Sequence, residues 1–174
     1  MKTYGEKTKG CFNNMEKLLK ILVDNPRLTN AQIAAMVDLT ETEVSDKIAE
    51  YEKNGVICGY KTVINWEKLE QTEKVTAIIE LRVTPRMNTG FEAIAEEIMA
   101  FEEVESVTLM SGGYDFSVCV TGQTFQGIAM FVAKRLAPLD SVVSTTTHFV
   151  LKKYKEDGII ISSGVEDERG ADVL

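Results

Sequence analysis

The residues best suited to chemistry lie in one short run, Met110-Ser111-Gly112-Gly113-Tyr114-Asp115. Glycines tolerate positive backbone torsions and let a ligand or a second subunit approach the main chain closely. Asp115 puts a carboxylate where a strand ordinarily carries something apolar, and an acid beside an accessible main chain suits an amino group. The same run also reads as a plain hairpin whose aspartate caps its own turn, and the residues alone leave both readings open. Catalytic constellations are missing. Ser111 has no histidine near it in sequence, and no nucleophile–base pair or phosphate loop occurs. The three cysteines (Cys11, Cys58, Cys119) are odd in number and scattered, so neither a disulfide framework nor a zinc site is expected. The expectation is no enzyme, no metal and no cofactor.

The elements that must position this run follow from its flanks. Residues 104–109 and 116–120 are rich in β-branched and apolar residues and read as the two strands of a hairpin. Upstream, residues 75–83 alternate strictly, with Ala77, Ile79, Leu81 and Val83 on one face and Thr76, Ile78, Glu80 and Arg82 on the other, and Pro85 closes the strand. Thr89 and Glu92 read as a capping box that opens a helix with Phe91, Ile94, Ala95, Ile98 and Met99 on one face. Phe125, Ile128, Ala129, Val132 and Leu136 mark a second helix ended by Pro138, and residues 142–154 read as one long final strand. The order β-α-β-β-α-β predicts a ferredoxin-like domain over 74–161, with helices on one face of a four-stranded antiparallel sheet. Residues 159–161 are expected to add a further strand, either in the same chain or on a partner, ahead of an acidic tail from 162 to 174.

The first part of the chain has a different period. After a non-periodic leader (1–14), Met15, Leu18, Leu19 and Leu22 form an amphipathic stripe that Asn25-Pro26 stops. Thr29 with Gln32 and Thr40 with Glu43 read as capping boxes of two more helices, the first burying Ile33, Ala34 and Val37 and the second Val44, Ile48 and Tyr51. Asn54-Gly55 caps the last helix. Val56-Ile57 and residues 61–64 read as a small hairpin around Gly59. Three helices and a hairpin over 15–64 make a winged helix-turn-helix pattern, although three-helix units also serve as plain packing domains. Residues 65–73 are polar and read as a linker. The fold class is therefore α+β: a winged helix-turn-helix followed by a ferredoxin-like βαββαβ domain.

Composition is that of an ordinary soluble globular chain of 174 residues, 44% hydrophobic and 26% charged. No apolar run approaches the ~20 residues of a membrane helix, and no secretory h-region is present, so a cytoplasmic protein without membrane contact is expected. The net charge of −8 argues against a generally basic nucleic-acid coat. Its distribution matters more. Residues 1–64 hold nine basic and nine acidic residues, leaving ten and eighteen for residues 65–174, so all of the excess acidity lies in the second part.

From residue 15 to about 161 the chain resembles the leucine-responsive/asparagine-operon regulator (Lrp/AsnC) family of prokaryotic transcription factors. The resemblance rests on Ser111-Gly112-Gly113-Tyr114-Asp115-Phe116, similar to the family's Gly-x-Tyr-Asp signature, on Glu52-Lys53-Asn54-Gly55-Val56-Ile57, and on Thr145-Thr146-Thr147-His148-Phe149-Val150-Leu151-Lys152. It implies dimers built through the sheet domain, assembly into octamer-like rings, double-stranded DNA as a partner, and an amino-acid effector bound between dimers at the signature loop. Residue chemistry fits that effector. Asp115 suits the ammonium, main-chain N–H groups around Gly112 and Gly113 suit the carboxylate as an anion nest, and Thr145, Thr147 and Phe149 share one strand face that would complete the pocket. Thr146 and His148 fall on the opposite face; His148 reads as a strand residue at a subunit interface or as a ligand group.

The third helix departs from the family pattern. Its outward face carries Thr42, Ser45, Asp46, Ala49, Glu50 and Lys53, where relatives usually show arginines. Residues 41–54 hold five acids and two lysines, a net of −3. Thr42, Ser45 and Asp46 are suited to base edges, and phosphate contacts fall to Arg27, Lys47, Lys53, Lys61 and the helix start at Thr29 and Asn30. Affinity per dimer is expected to be modest and regained by multivalency.

Overall fold

The structure is a computed structural model that describes residues 16–69, 74–85 and 90–162. The chain divides into two compact units between Thr62 and Val63.

The first unit is helical: 16–24 (α1), Asn30–Val37 (α2) and Glu41–Lys53 (α3). Leu18, Ile21 and Leu22 meet Ile33, Ala34 and Val37 and then Val44 and Tyr51, with Leu19 and Ile48 half-buried against them. Met15 lies outside the described residues. Both expected capping boxes form here. Thr29 Oγ1 accepts from the Gln32 amide while Gln32 reaches back to the Thr29 amide, and Thr40 with Glu43 repeats the arrangement. Asp38 ends α2 in the left-handed region (φ 55°). Gly55 follows α3 with φ 69°, and the Val56 and Gly55 amides donate to the Tyr51 and Glu52 carbonyls, a Schellman cap.

That cap explains why the expected wing hairpin does not form. The amides of Val56 and Ile57 both donate to the Tyr51 carbonyl, so they are taken by the helix end and cannot serve a strand ladder. Residues 55–65 contain no strand. Cys58 Sγ instead donates to the Gly55 carbonyl and Tyr60 Oη to Glu52 Oε1.

The Glu43 cap is sensitive to pH. The Thr40 amide and hydroxyl both donate to its carboxylate and hold its pKa below the ordinary 4.5. A depressed value in the folded state contributes stability above the unfolded-state pKa, and that contribution is lost as pH falls through the folded value. Urea denaturation of the wild type and Glu43→Gln is therefore expected to differ at pH 7 and to converge as the pH drops below 4.5.

The second unit opens with a single 3-10 turn, Trp66–Lys68, and then alternates: Val75–Val83 (β1), Glu92–Met99 (α4), Val104–Leu109 (β2), Phe116–Gly122 (β3), Phe125–Phe131 (α5) and Val142–Phe149 (β4). The sheet order is β2-β3-β1-β4, all antiparallel, which is the expected ferredoxin-like arrangement. Ala77, Ile79 and Leu81 of β1 and Phe116, Val118 and Val120 of β3 are fully buried under Ile94 and Ile98 of α4 and Ile128 and Phe131 of α5.

Three local expectations are corrected. Glu92 is the first residue of α4 and not its third, so it cannot close a capping box; Thr89 lies outside the described residues, Phe91 occupies the N-cap without a side-chain bond, and Gly90 (φ 59°) makes the turn. The second helix changes to a π-turn over Val132–Leu136, where the Ala137 amide donates to the Val132 carbonyl. Ahead of that turn Phe131 is buried one helical turn after Ile128, whereas Phe125 and Ala129 are exposed. β4 ends at Phe149 because its partner β1 begins at Val75; the Val150 amide makes the last bond, to Thr76. The expected further strand is present: Ile159–Ile160 (β6) pairs with Lys155–Glu156 (β5) of the same chain through Asp157 (φ 47°) and Gly158 (φ 82°), the two left-handed positions of a type I′ turn.

Candidate functional site

The loop from Met110 to Asp115 joins edge strand β2 to inner strand β3. It is closed by the Met110 amide donating to the Asp115 carbonyl at 2.7 Å. The Asp115 amide donates to the Leu81 carbonyl at 2.8 Å, extending the β3–β1 ladder one residue beyond Phe116. The paired register of β1 with β3 ends at Leu81 and Phe116, two residues short of Val83. Asp115 Oδ2 takes up the Val83 amide there, at 2.8 Å. The carboxylate therefore staples the end of β1, and does not cap its own turn. Its second oxygen, Oδ1, has no hydrogen-bond partner among the described residues.

A bond from the neighbouring strand holds the loop crest: Arg82 Nε donates to the Gly113 carbonyl at 2.8 Å. Ser111, Gly112 and Gly113 are exposed and Tyr114 and Asp115 half-buried. Neither Gly112 nor Gly113 lies in the left-handed region, so the alternation of handedness that builds an anion nest is absent. Their contribution is room. A Cβ built on either meets nothing within 4 Å. Arg82 escaped the sequence reading of the site because the bond that places it spans 31 residues. The available signal was a long cation at an outward position of β1, close to the strand's end.

Thr145, Thr147 and Phe149 do share a face of β4 and are all half-buried. Register places them opposite Leu81, Ile79 and Ala77, on the helix-covered side of the sheet. Thr145 lies two strands from Phe116, roughly 10 Å at ordinary strand spacing. Phe149 is farther still, at the other end of the sheet, where its ring meets Phe125 edge-on at 4.9 Å. Within one chain these three side chains therefore do not complete a pocket around Asp115. On the opposite face, His148 Nε2 lies 3.3 Å from Glu80 Oε1, beside Thr146.

In the helical unit, Thr42, Ser45, Asp46, Ala49, Glu50 and Lys53 line the solvent face of α3, and Arg27 and Lys61 are also exposed. Thr29 is committed to its capping box and Asn30 begins α2 half-buried. Lys47 pairs with Glu50 at 2.6 Å, so a phosphate would have to compete for it. Three of the five acids of α3 have local work: Glu43 in the cap, Glu50 with Lys47, and Glu52 with Tyr60. Glu41 stands with Glu43 in the first turn, where the helix dipole favours negative charge. The negative charge of this helix is thus partly internal to its own fold. Among the described residues no group of three or more His, Cys, Asp or Glu side chains is placed to hold a metal, and no helix is long and apolar enough to cross a membrane.

Comparison with known proteins gives a consistent result. A winged helix-turn-helix DNA-binding family model matches residues 13–57, and an Lrp/AsnC ligand binding domain model matches residues 76–160. The chain is 47% identical over 153 residues to YugG of Bacillus subtilis, described as an uncharacterized HTH-type transcriptional regulator, covering 88% of this chain and 92% of that protein. It is 26% identical over 145 residues to the leucine-responsive regulatory protein of Haemophilus influenzae, covering 83% and 86%. Among solved structures, a transcriptional regulator of Neisseria meningitidis in complex with L-methionine matches with a TM-score of 0.66 at 22% identity, over 82% of this chain and 91% of that one.

Proposed function

Because the chain belongs to the Lrp/AsnC family and is a transcriptional regulator of that type, with a helix-turn-helix DNA-binding domain, we propose that it is an amino-acid-responsive regulator of genes for amino-acid metabolism or transport. Residues 15–64 bind double-stranded DNA, 65–73 link, and 74–161 bind the effector and oligomerise. The protein works in the cytoplasm as a homodimer that pairs through its sheet domain and assembles further, to an octamer. It carries no catalytic role, and its effector is a free amino acid held at the Met110–Asp115 loop. The observation that carries the reading is the Asp115 carboxylate, one oxygen of which is unused, beside two glycines that leave the main chain open. The L-methionine bound to the Neisseria regulator gives a precedent for the ligand class. An effector that prefers one assembly over another would change the spacing of the DNA-binding units.

A second reading is favoured by the acidic α3: an oligomeric small-molecule sensor whose DNA binding is weak or lost. Gel shifts with the DNA upstream of the protein's own gene, titrated with salt, separate the two. If Arg27, Lys53 and Lys61 of both chains of a dimer meet phosphates, affinity falls by about 10³-fold between 50 and 200 mM salt. Binding that is absent at low salt would sink the regulator reading and leave the sensor.

A further inference from the structure

We propose that Arg82 receives the α-carboxylate of the effector, so that the loop selects zwitterionic α-amino acids by their two charges before it reads a side chain. The inference rests on the amino-acid reading of the loop and assigns it a residue.

Three observations carry it. First, Arg82 stands at an outward position of β1, and only one of its five N–H donors is used: Nε holds the Gly113 carbonyl at 2.8 Å, while the two terminal nitrogens have no partner among the described residues. The Nε bond fixes the plane of the guanidinium against the loop crest, and the unused edge is the one that grips a carboxylate with two parallel bonds. Second, Asp115 is tied to the adjacent residue of the same strand through Val83, yet no ion pair joins Arg82 and Asp115 among the described residues. A cation and an anion anchored one residue apart on β1, each with capacity left over, match a ligand that carries an ammonium and a carboxylate on one carbon. Third, Gly112 and Gly113 do not take the left-handed torsions of a nest, the one main-chain anion site their glycines suggested. The absence of side chains at both glycines leaves the space in front of Arg82 open.

The test uses the full-length protein and the twenty L-amino acids, each with its α-carboxamide. The amide keeps the ammonium and the side chain but removes the negative charge. Thermal shift identifies the amino acids that bind, and isothermal titration gives their dissociation constants. In the wild type the acid is expected to bind on the order of 10- to 100-fold more tightly than its amide, the range of one charge-assisted contact. Arg82→Gln is expected to lower acid affinity to the level of the amide and leave the amide unchanged. Arg82→Lys, which keeps the charge without the fork, is expected to retain part of the preference and guards against misfolding of the first variant. Equal weakening of acid and amide in Arg82→Gln would assign the arginine to holding the loop alone and overturn the proposal. So would a wild type indifferent to amidation, or an Arg82→Gln protein that still prefers the acid; in both cases the amino-acid reading stands. If no amino acid binds the wild type, both readings fall together.

Discussion

Asp115→Asn is expected to abolish the stabilisation conferred by an amino acid while leaving the sheet unit close to wild-type stability, whereas Asp115→Ala loses both. The carboxylate has two separable jobs. Its Oδ2 accepts the Val83 amide, which lies beyond the last β1–β3 pair, Leu81 with Phe116. An asparagine oxygen still accepts that bond, but alanine leaves the partly buried amide unsatisfied, at a cost of about 1–3 kcal/mol. The proposed second job, pairing with an ammonium, needs the negative charge, which both variants remove. In the wild type a ligand at a hundredfold excess over its dissociation constant raises apparent stability by about 2.7 kcal/mol. Urea titration with and without saturating amino acid reads both quantities. A ligand shift of wild-type size in Asp115→Asn would place the pocket elsewhere.

The largest stability effect is expected one residue later. Phe116 is 1% exposed and begins β3 under α4, with its ring edge-on to Phe91 at a centroid distance of 5.9 Å. Phe116→Ala removes a ring from a close-packed layer, which costs about 3–5 kcal/mol when the surroundings relax only in part. Against a typical total of about 5–15 kcal/mol this brings the unit close to its unfolding threshold. Trp66, the single tryptophan, belongs to the same compact unit and reports its unfolding by fluorescence. Leu151→Ala is the control: Leu151 is 90% exposed, and its truncation is expected to stay within about 0.5 kcal/mol. A Phe116→Ala midpoint as close to wild type as the Leu151 control would show that the ring is not part of a rigid core.

The two predictions touch adjacent residues because the loop is built at the point where the core ends. Phe116 anchors the start of β3, and Asp115 extends that strand's grip on β1 by two further bonds. A loop held in this way has its polar groups positioned by packing and by cross-strand bonds, so ligand selectivity and sheet stability are coupled through two consecutive side chains.

Much of this was legible in the chain itself. The three helices, the two capping boxes of the first unit and the alternation of β1 depend on residues no more than four apart, and each formed where the residue pattern put it. The order of elements then predicted a ferredoxin-like sheet, because few antiparallel arrangements cover one face with two helices. The Ser-Gly-Gly-Tyr-Asp run could be singled out because its acid stands where a strand ordinarily carries something apolar. What remained hidden depends on competition for hydrogen bonds and on register. The wing hairpin was lost because the Tyr51 carbonyl took the Val56 and Ile57 amides first. The length of β1 ended β4 at Phe149. A shared strand face put Thr145, Thr147 and Phe149 together, but only the register places them on the helix-covered side of β4, away from Asp115 of the same chain. Only tertiary pairing brought Arg82 to Gly113, because register sets which residues meet across 31 positions of chain and no local periodicity encodes it.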